Sequence, residues 1–211
     1  GVKRKSVDTY LSCLSSLYRH MSELSGDSGR LNPFKAIRDT EFYRHLPTED
    51  HRAGRALPIE QVESMFKAID SVFDSSVAYK VRIALALGFL LGKRVSTIVS
   101  VSWNDYDGLN LKTTEKGSRE HTVVVPEKIR ALLDESSILY GDSGRIVGYT
   151  ANTIRKWLSK LSKHLGIKTV NTHDMRRTFA TRAVCSHTDI AIVSQWMGHK
   201  SIKTTELYLR E

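Results

Sequence analysis

The sequence predicts a mainly helical protein that carries one small antiparallel β-sheet. Apolar residues recur at helical spacing along most of the chain, as in the stripe formed by Trp157, Leu158 and Leu161. One segment differs, because the β-branched run 123–125 is separated from residues 109–113 by a polar, glycine-containing turn. Together these observations favour a mainly α (α+β) fold, in which a helical domain carries the sheet and follows a shorter helical segment.

A polar stretch divides the chain into two helical parts. Residues 47–56 are charged and lack hydrophobic periodicity, so we interpret them as a linker. In residues 1–46, apolar residues at helical spacing follow Ser6, which we expect to cap the first helix. The second part, residues 57–211, begins beside Pro58, since proline is favoured in the first turn of a helix.

Composition excludes several classes of protein. The 211 residues are 40% hydrophobic, which suffices for a buried core, yet no apolar run approaches the ~20 residues that a membrane span requires. We therefore expect a protein of the host-cell cytoplasm that does not enter a membrane. The two cysteines are isolated and metal-ligand spacing is absent, so neither a disulfide framework nor a structural zinc site is expected.

The chain is strongly basic, with a formal net charge of +9 at pH 7. An excess of lysine and arginine is the electrostatic signature of a protein that binds nucleic acid. Charge alone leaves a merely basic protein as the alternative, so the positions of particular residues must decide.

A histidine and an arginine three positions apart open one of the predicted helices. His173 and Arg176 share one helix face, whereas Arg177 points elsewhere. A helix start also offers free backbone N–H groups and a positive dipole end, both suited to a phosphate group. An H-x-x-R pair is common by itself, and an ordinary surface pair is the structural alternative.

Two further candidates lie near the end of the sequence. Gly198 has the character of a helix C′ residue, which places His199 just beyond a helix end, and Tyr208 follows nine positions later. If each residue is considered alone, the ordinary interpretation of His199 is an incidental residue of a capping loop. The ordinary interpretation of Tyr208 is a half-buried aromatic residue of a short helix.

The order and spacing of these residues resemble the C-terminal signature of the tyrosine recombinase (phage integrase) family. Upstream, Arg94 matches the family's first arginine, which follows an apolar helix. Lys116 matches the lysine in the turn of the family's sheet, with Lys112 as the fallback. Thr97 stands where family members usually carry an acidic residue.

The resemblance implies a site-specific DNA recombinase that cuts and rejoins DNA through a 3′-phosphotyrosyl intermediate. The two arginines and His199 would contact the phosphate, and His173 would hydrogen-bond nearby. Tyr208 would attack the phosphorus, while Lys116 would protonate the departing 5′ oxygen. No metal, cofactor or ATP is implied. The complete catalytic set would be Arg94, Lys116, His173, Arg176, His199 and Tyr208.

The resemblance also implies partners and domain identities. Double-stranded DNA would be the substrate, bound by a tetrameric synapse of identical protomers, with a monomer as the alternative for this piece of chain. Residues 57–211 would be the catalytic domain, and residues 1–46 the last part of a helical core-binding domain. Two rival readings are a type IB topoisomerase-like nicking and closing activity, and a non-catalytic DNA-binding protein of the same fold.

Overall fold

A computed structural model describes residues 4–26, 31–45, 55–115, 119–198 and 205. The chain separates into two compact units, residues 1–52 and residues 53–211. Within the described ranges, both units are built mostly from α-helices, and the second unit contains one pair of strands. The mainly α fold with a small antiparallel sheet is thus confirmed.

The described residues of the first unit form one long helix and three short elements. Asn32 and Thr40 cap two of the short helices, because their side-chain oxygens accept hydrogen bonds from the backbone N–H groups of Phe34 and Tyr43. The Asn32 side chain also donates to the Ser15 carbonyl, which ties the loop back to the long helix. The elements are α1 (Arg4–Leu24), α2 (Pro33–Ala36), a 3₁₀ turn (Ile37–Asp39) and α3 (Glu41–Arg44).

The start of α1 differs from the sequence-based expectation. The helix begins at Arg4, so Ser6 lies inside it, and the prediction that Ser6 caps the helix is wrong. Serine occurs both at caps and within helices, so its presence alone does not locate a helix start. Within the apolar stripe of α1, Leu11 is buried, whereas Tyr10 and Met21 are exposed.

The second unit is a helical domain with a single hairpin. Its two strands are β1 (Asn110–Glu115) and β2 (Arg119–Val124), and a 3₁₀ turn (Trp103–Asp105) precedes them. The helices are α4 (Ile59–Lys67), α5 (Ile69–Val72), α6 (Ser75–Phe89), α7 (Val95–Ser100), α8 (Glu127–Tyr140), α9 (Ala151–His164), α10 (Thr172–Cys185) and α11 (Ile190–Trp196).

Helix α6 lies at the centre of the second unit. Nine of its 15 residues are buried, on all sides of the helix, which is typical of a helix enclosed in a core. Helix α10 packs against it, with Met175 placed against Gly88. The chain leaves α6 through the loop 90–94, so the position of this loop is set by the most buried helix of the domain.

The hairpin has one buried and one exposed face. The strands pair from Asn110 with Val124 to Glu115 with Arg119, so β1 extends two residues further than the sequence predicted. Leu111, Thr113 and Val123 are buried on the inner face, whereas Lys112 is exposed on the outer face.

Gly92 occupies a position in the loop after α6 that other residues would strain. Its φ is +60°, and a Cβ atom there would lie 2.9 Å from Cγ of Phe179. Gly92→Ala is expected to lower the free energy of unfolding by about 2–4 kcal/mol, because backbone strain and overpacking add. Urea unfolding measures the effect.

Gly141→Ala is the matched control for Gly92→Ala. Gly141 also has a positive φ, +81°, but nothing lies within 4 Å of the added Cβ atom. Its loss should therefore be about 1 kcal/mol, from backbone strain alone. Equal losses at the two glycines would contradict the proposed contact with Phe179.

Candidate active site

The start of α10 is closed by its own capping residues. Asn171 accepts hydrogen bonds from the backbone N–H groups of His173 and Asp174, and the Asp174 carboxylate accepts from the N–H of Asn171. The expectation that this helix start offers free N–H groups to a phosphate is therefore wrong for these two residues. Any phosphate contact here must come mainly from side chains.

Asp174 also holds the first described residues of the second unit against α10. The Arg55 backbone N–H donates to the buried Asp174 carboxylate at 3.0 Å, and the Arg55 guanidinium lies 3.9 Å from it. Two residues on, the Leu57 N–H donates to the Thr178 hydroxyl at 2.9 Å. These bonds join residues about 120 positions apart, so the start of the domain and α10 form one rigid base beneath the predicted site.

Arg176 is buried and clamped between two backbone carbonyls. Only 2% of its surface is exposed. Its Nη1 donates to the carbonyl of Gly92, and its Nη2 donates to the carbonyl of Met197 at 2.6 Å. A guanidinium group carries five N–H donors, so both bonds are compatible with a further contact to a phosphate oxygen.

Arg94 lies at the end of the same loop that Arg176 holds. It occupies the N-cap position of α7 with extended backbone angles, two residues after Gly92, and it is half-buried. The bond from Arg176 to Gly92 therefore couples the loop that carries Arg94 to α10. The two predicted phosphate-binding arginines belong to neighbouring, directly bonded elements.

The carboxyl end of α11 receives side chains from three different elements. Three consecutive carbonyls, those of Gln195, Trp196 and the C-cap residue Met197, accept hydrogen bonds from His121, Lys93 and Arg176 respectively. Gly198 follows with a φ of +64°, and its N–H donates to the Gln195 carbonyl, so the predicted helix C′ residue is confirmed. The loop 90–94, strand β2 and helix α10 all converge on this turn.

The structure brings only part of the predicted catalytic set into view. Arg94 and Arg176 lie on bonded elements, and His173 is exposed near the start of α10. Lys116, His199 and Tyr208 lie outside the described residues. The fallback residue Lys112 lies on the outer face of the hairpin, opposite to the face that carries His121.

The described part of the chain contains no group of three or more His, Cys, Asp or Glu side chains that could hold a metal ion. No helix in it is long and apolar enough to cross a lipid bilayer.

Comparison with known proteins identifies the family. The model of the phage integrase family matches residues 55–211. Tyrosine recombinase XerC from Staphylococcus aureus (strain MSSA476) is 25% identical over 223 residues, covering 98% of this chain and 70% of that protein.

Two solved structures share the fold. The Tn1549 transposon integrase in complex with transposon right end DNA has a TM-score of 0.69 at 18% identity, covering 100% of this chain and 76% of that chain. The XerH site-specific recombinase bound to difH substrate has a TM-score of 0.62 at 20% identity, covering 79% of this chain. The chain spans about half of that recombinase, 53% of its length.

The family match, together with the shared fold, places the chain in the tyrosine recombinase class. Because the family match covers well over half of the sequence, the chain belongs to the phage integrase family. The resemblance noted from the spacing of His173, Arg176, His199 and Tyr208 is thereby confirmed at the level of the family.

Sequence reasoning missed two residues of this region, Lys93 and His121. Lys93 is only 1% exposed, and its Nζ donates to the Trp196 carbonyl at 3.1 Å. His121 lies on the inner face of β2 and reaches the Gln195 carbonyl. A lysine directly after a buried helix is a weak sequence signal for this role, and His121 carries no local signal, because both contacts join residues more than 70 positions apart.

Proposed function

We propose that this chain is the catalytic part of a site-specific DNA recombinase, which cleaves and rejoins DNA through Tyr208. The observation that supports this most is the buried Arg176 guanidinium, bonded both to the loop of Arg94 and to the turn before His199. Such an arrangement orients cationic groups before substrate binds. Preorganised donors of this kind stabilise charge that develops in a transition state.

The proposed role of the arginines follows from the chemistry of a phosphodiester. Attack on phosphorus builds negative charge on the two nonbridging oxygens, and planar guanidinium groups can contact both of them. Arg94 and Arg176 supply these groups, and His199 donates a further hydrogen bond. Since Asn171 occupies N–H groups at the start of α10, the helix end contributes less to this stabilisation than the side chains do.

The proposed bond changes balance without an outside energy source. The Tyr208 Oη–phosphorus bond forms as the bond from phosphorus to the 5′ oxygen breaks. The tyrosine proton passes to His173, and Lys116 protonates the departing 5′ oxygen. Attack by a 5′ hydroxyl group of another strand reverses these steps and reseals the DNA, so neither ATP nor a metal ion takes part in the proposed steps.

Double-stranded DNA is the proposed substrate and partner. Relatives whose structures contain DNA include the XerH recombinase and the Tn1549 integrase. For exchange between two sites, we propose that four copies of this domain, each within its full protein, assemble on two DNA segments. In this scheme residues 1–46 belong to a helical core-binding domain.

Covalent trapping tests the proposed function. The chain is incubated with a pool of duplexes of randomised sequence that carry a nick just downstream of the position to be cut, so that the short downstream fragment, which ends in a free 5′ hydroxyl group, diffuses away after cleavage. We expect a protein–DNA adduct that survives denaturing electrophoresis and forms equally in the presence of EDTA. If no adduct forms on any member of the pool, the proposed catalytic activity is wrong.

The same assay separates the topoisomerase-like alternative. The full-length protein is incubated in parallel with a supercoiled plasmid and with a pair of duplexes. All of these carry the sequence that formed the covalent adduct in the randomised pool. Joining of strands between the two duplexes is the result expected of a recombinase. Relaxation of the plasmid without any strand exchange would favour a nicking and closing enzyme.

DNA affinity is expected to depend steeply on salt. If six to ten basic side chains meet phosphates, the affinity should fall by about 10³–10⁵ between 50 and 200 mM salt, because condensed counterions are released. Fluorescence anisotropy with a labelled duplex measures this slope. A salt-independent affinity would contradict the DNA interface that we propose.

Lys116→Ala is expected to slow cleavage about a hundredfold, because the departing 5′ oxygen loses its proton donor. A substrate with sulfur at the bridging 5′ position should restore most of this rate, since a thiolate leaves without protonation. Lys112→Ala is the matched control. Lys112 lies on the outer face of the hairpin, so its loss should change the rate little. The reverse result would make Lys112 the general acid.

A further inference from the structure

The last turn of α11 is held by three contacts, two of which the proposed chemistry does not use. The carbonyls at a helix carboxyl end have no partner within the helix and carry the negative end of its dipole. In this chain three consecutive carbonyls, from Gln195 to Met197, each accept a bond from a basic side chain of another element. Arg176 already has a proposed role, whereas Lys93 and His121 do not.

Lys93 is the more informative of the two residues because of its burial. Removing an ammonium group from water is costly, and such groups persist inside proteins where bonds compensate for the loss. Lys93 is 1% exposed and directs its Nζ to the Trp196 carbonyl at 3.1 Å. Its own backbone N–H donates to the Leu87 carbonyl at the end of α6, so the lysine has a fixed base.

His121 approaches the same turn from the hairpin. Its Nε2 lies against the Gln195 carbonyl, and its Nδ1 lies 3.1 Å from the carbonyl of Thr122. A carbonyl oxygen only accepts, so the contact with Gln195 is a hydrogen bond in the tautomer that carries a proton on Nε2. The hairpin whose turn contains Lys116 is in this way attached to the end of α11.

We propose that Lys93 and His121 are positioning residues, which together with Arg176 hold the carboxyl end of α11 and so set the location of His199. This inference rests on the proposed function, since His199 follows Met197 by two residues and is proposed to donate a hydrogen bond to the phosphate. The three contacts come from the loop of Arg94, the hairpin of Lys116 and the helix of His173 and Arg176. One turn of helix thereby connects every element that carries a proposed catalytic residue before His199.

The first experiment compares Lys93→Met with Lys80→Met. Lys80 is the matched control, because it is half-buried and its Nζ also donates to a carbonyl, that of Ile146, at 2.8 Å. At saturating DNA, we expect Lys93→Met to slow adduct formation about 10- to 100-fold, since small misplacements of a catalytic group have effects of this size. The dissociation constant for DNA and the urea midpoint should change little, and Lys80→Met should cleave at the normal rate.

A double-substitution cycle tests whether Lys93 acts through His199. In a His199→Ala background, the additional change Lys93→Met should slow adduct formation less than about threefold, because the group that it positions is already absent. An undiminished effect of Lys93→Met in that background would overturn the inference.

His121 permits a test by conservative replacement. His121→Ala should slow adduct formation about five- to tenfold, the effect of losing one hydrogen bond. His121→Gln keeps an N–H donor at a similar distance and should restore most of the rate. Equal defects in the two variants would show that the bond to Gln195 is not what matters, and would overturn the role of His121.

Hydrogen exchange measures the holding of α11 without any activity. Lys93→Met should raise amide exchange in residues 193–198 at least about tenfold relative to the unsubstituted chain, and Lys80→Met should not. If exchange and cleavage are both unchanged in Lys93→Met, the inference is wrong. If the unsubstituted chain forms no adduct, the proposed function fails. The exchange measurement still tests the contact, because raised exchange in residues 193–198 of Lys93→Met means that Lys93 holds the helix, and unchanged exchange means that it does not.

Discussion

Tyr208→Phe is expected to abolish the covalent protein–DNA adduct while leaving the affinity for DNA nearly unchanged. The substitution removes only the oxygen that we propose attacks phosphorus, so binding groups remain in place. A tyrosine hydroxyl with an ordinary pKa near 10 is a weak nucleophile at neutral pH, and the cations that we propose as its partners would favour its phenolate form. Adduct yield on denaturing gels and anisotropy with the same duplex measure the two quantities.

Tyr106→Phe is the control for this prediction. Burial and the neighbouring Asp134 carboxylate raise the pKa of Tyr106 to about 12, so its phenolate is even scarcer at neutral pH. Its hydroxyl donates to the Gly108 carbonyl at 3.1 Å, and Tyr106 is not among the proposed catalytic residues. The Tyr106 variant should form the adduct normally. Undiminished adduct with Tyr208→Phe would mean that another residue is the nucleophile.

Arg176→Lys is expected to lower the cleavage rate at saturating DNA by at least about 10³-fold, although the positive charge is kept. Arginines that stabilise charge in phosphoryl transfer contribute effects of about 10³–10⁵. Arginine has a planar guanidinium group with several N–H donors in fixed directions, whereas lysine has one compact ammonium group. A lysine at this position therefore cannot donate to the carbonyls of Gly92 and Met197 and to a phosphate in the same geometry. Single-turnover kinetics on the nicked substrate measure the loss.

Arg177→Lys is the matched control, because Arg177 is the next residue of α10 and is also buried, at 3% exposure. The family spacing selects Arg176, so Arg177→Lys should affect cleavage much less. Urea unfolding of both variants shows whether either substitution has acted through stability. A larger cleavage defect at Arg177 than at Arg176 would contradict the assignment.

Local patterns in the sequence were sufficient for much of the fold. The helix that His173 and Arg176 open was predicted and is α10, and Gly198 was predicted as the residue just beyond a helix end, which is the end of α11. The hairpin was predicted in the right place, but β1 ends two residues later than predicted, since strand ends depend on pairing across the sheet. The prediction that Ser6 caps the first helix was wrong, because serine occurs both at the cap position and inside a helix.

The capping of α10 shows a signal that was present but not used. Asn171 and Asp174 are three positions apart, which is the spacing of a capping box. Reading that pair would have shown that the first N–H groups of the helix have partners in the chain itself. The sequence thus contained the correction to the expectation that these groups are offered to phosphate.

The sequence by itself determined the helical class, the single hairpin, the basic charge and the family, because each depends on residue type and local spacing. Only the tertiary structure decided that Arg176 is clamped between Gly92 and Met197, that Lys93 is buried, and that His121 meets α11. These contacts join residues 21 to 103 positions apart. Local periodicity in the sequence carries no information about contacts between residues so far apart along the chain. These contacts form because the packing of α6 against α10 brings separate loops together.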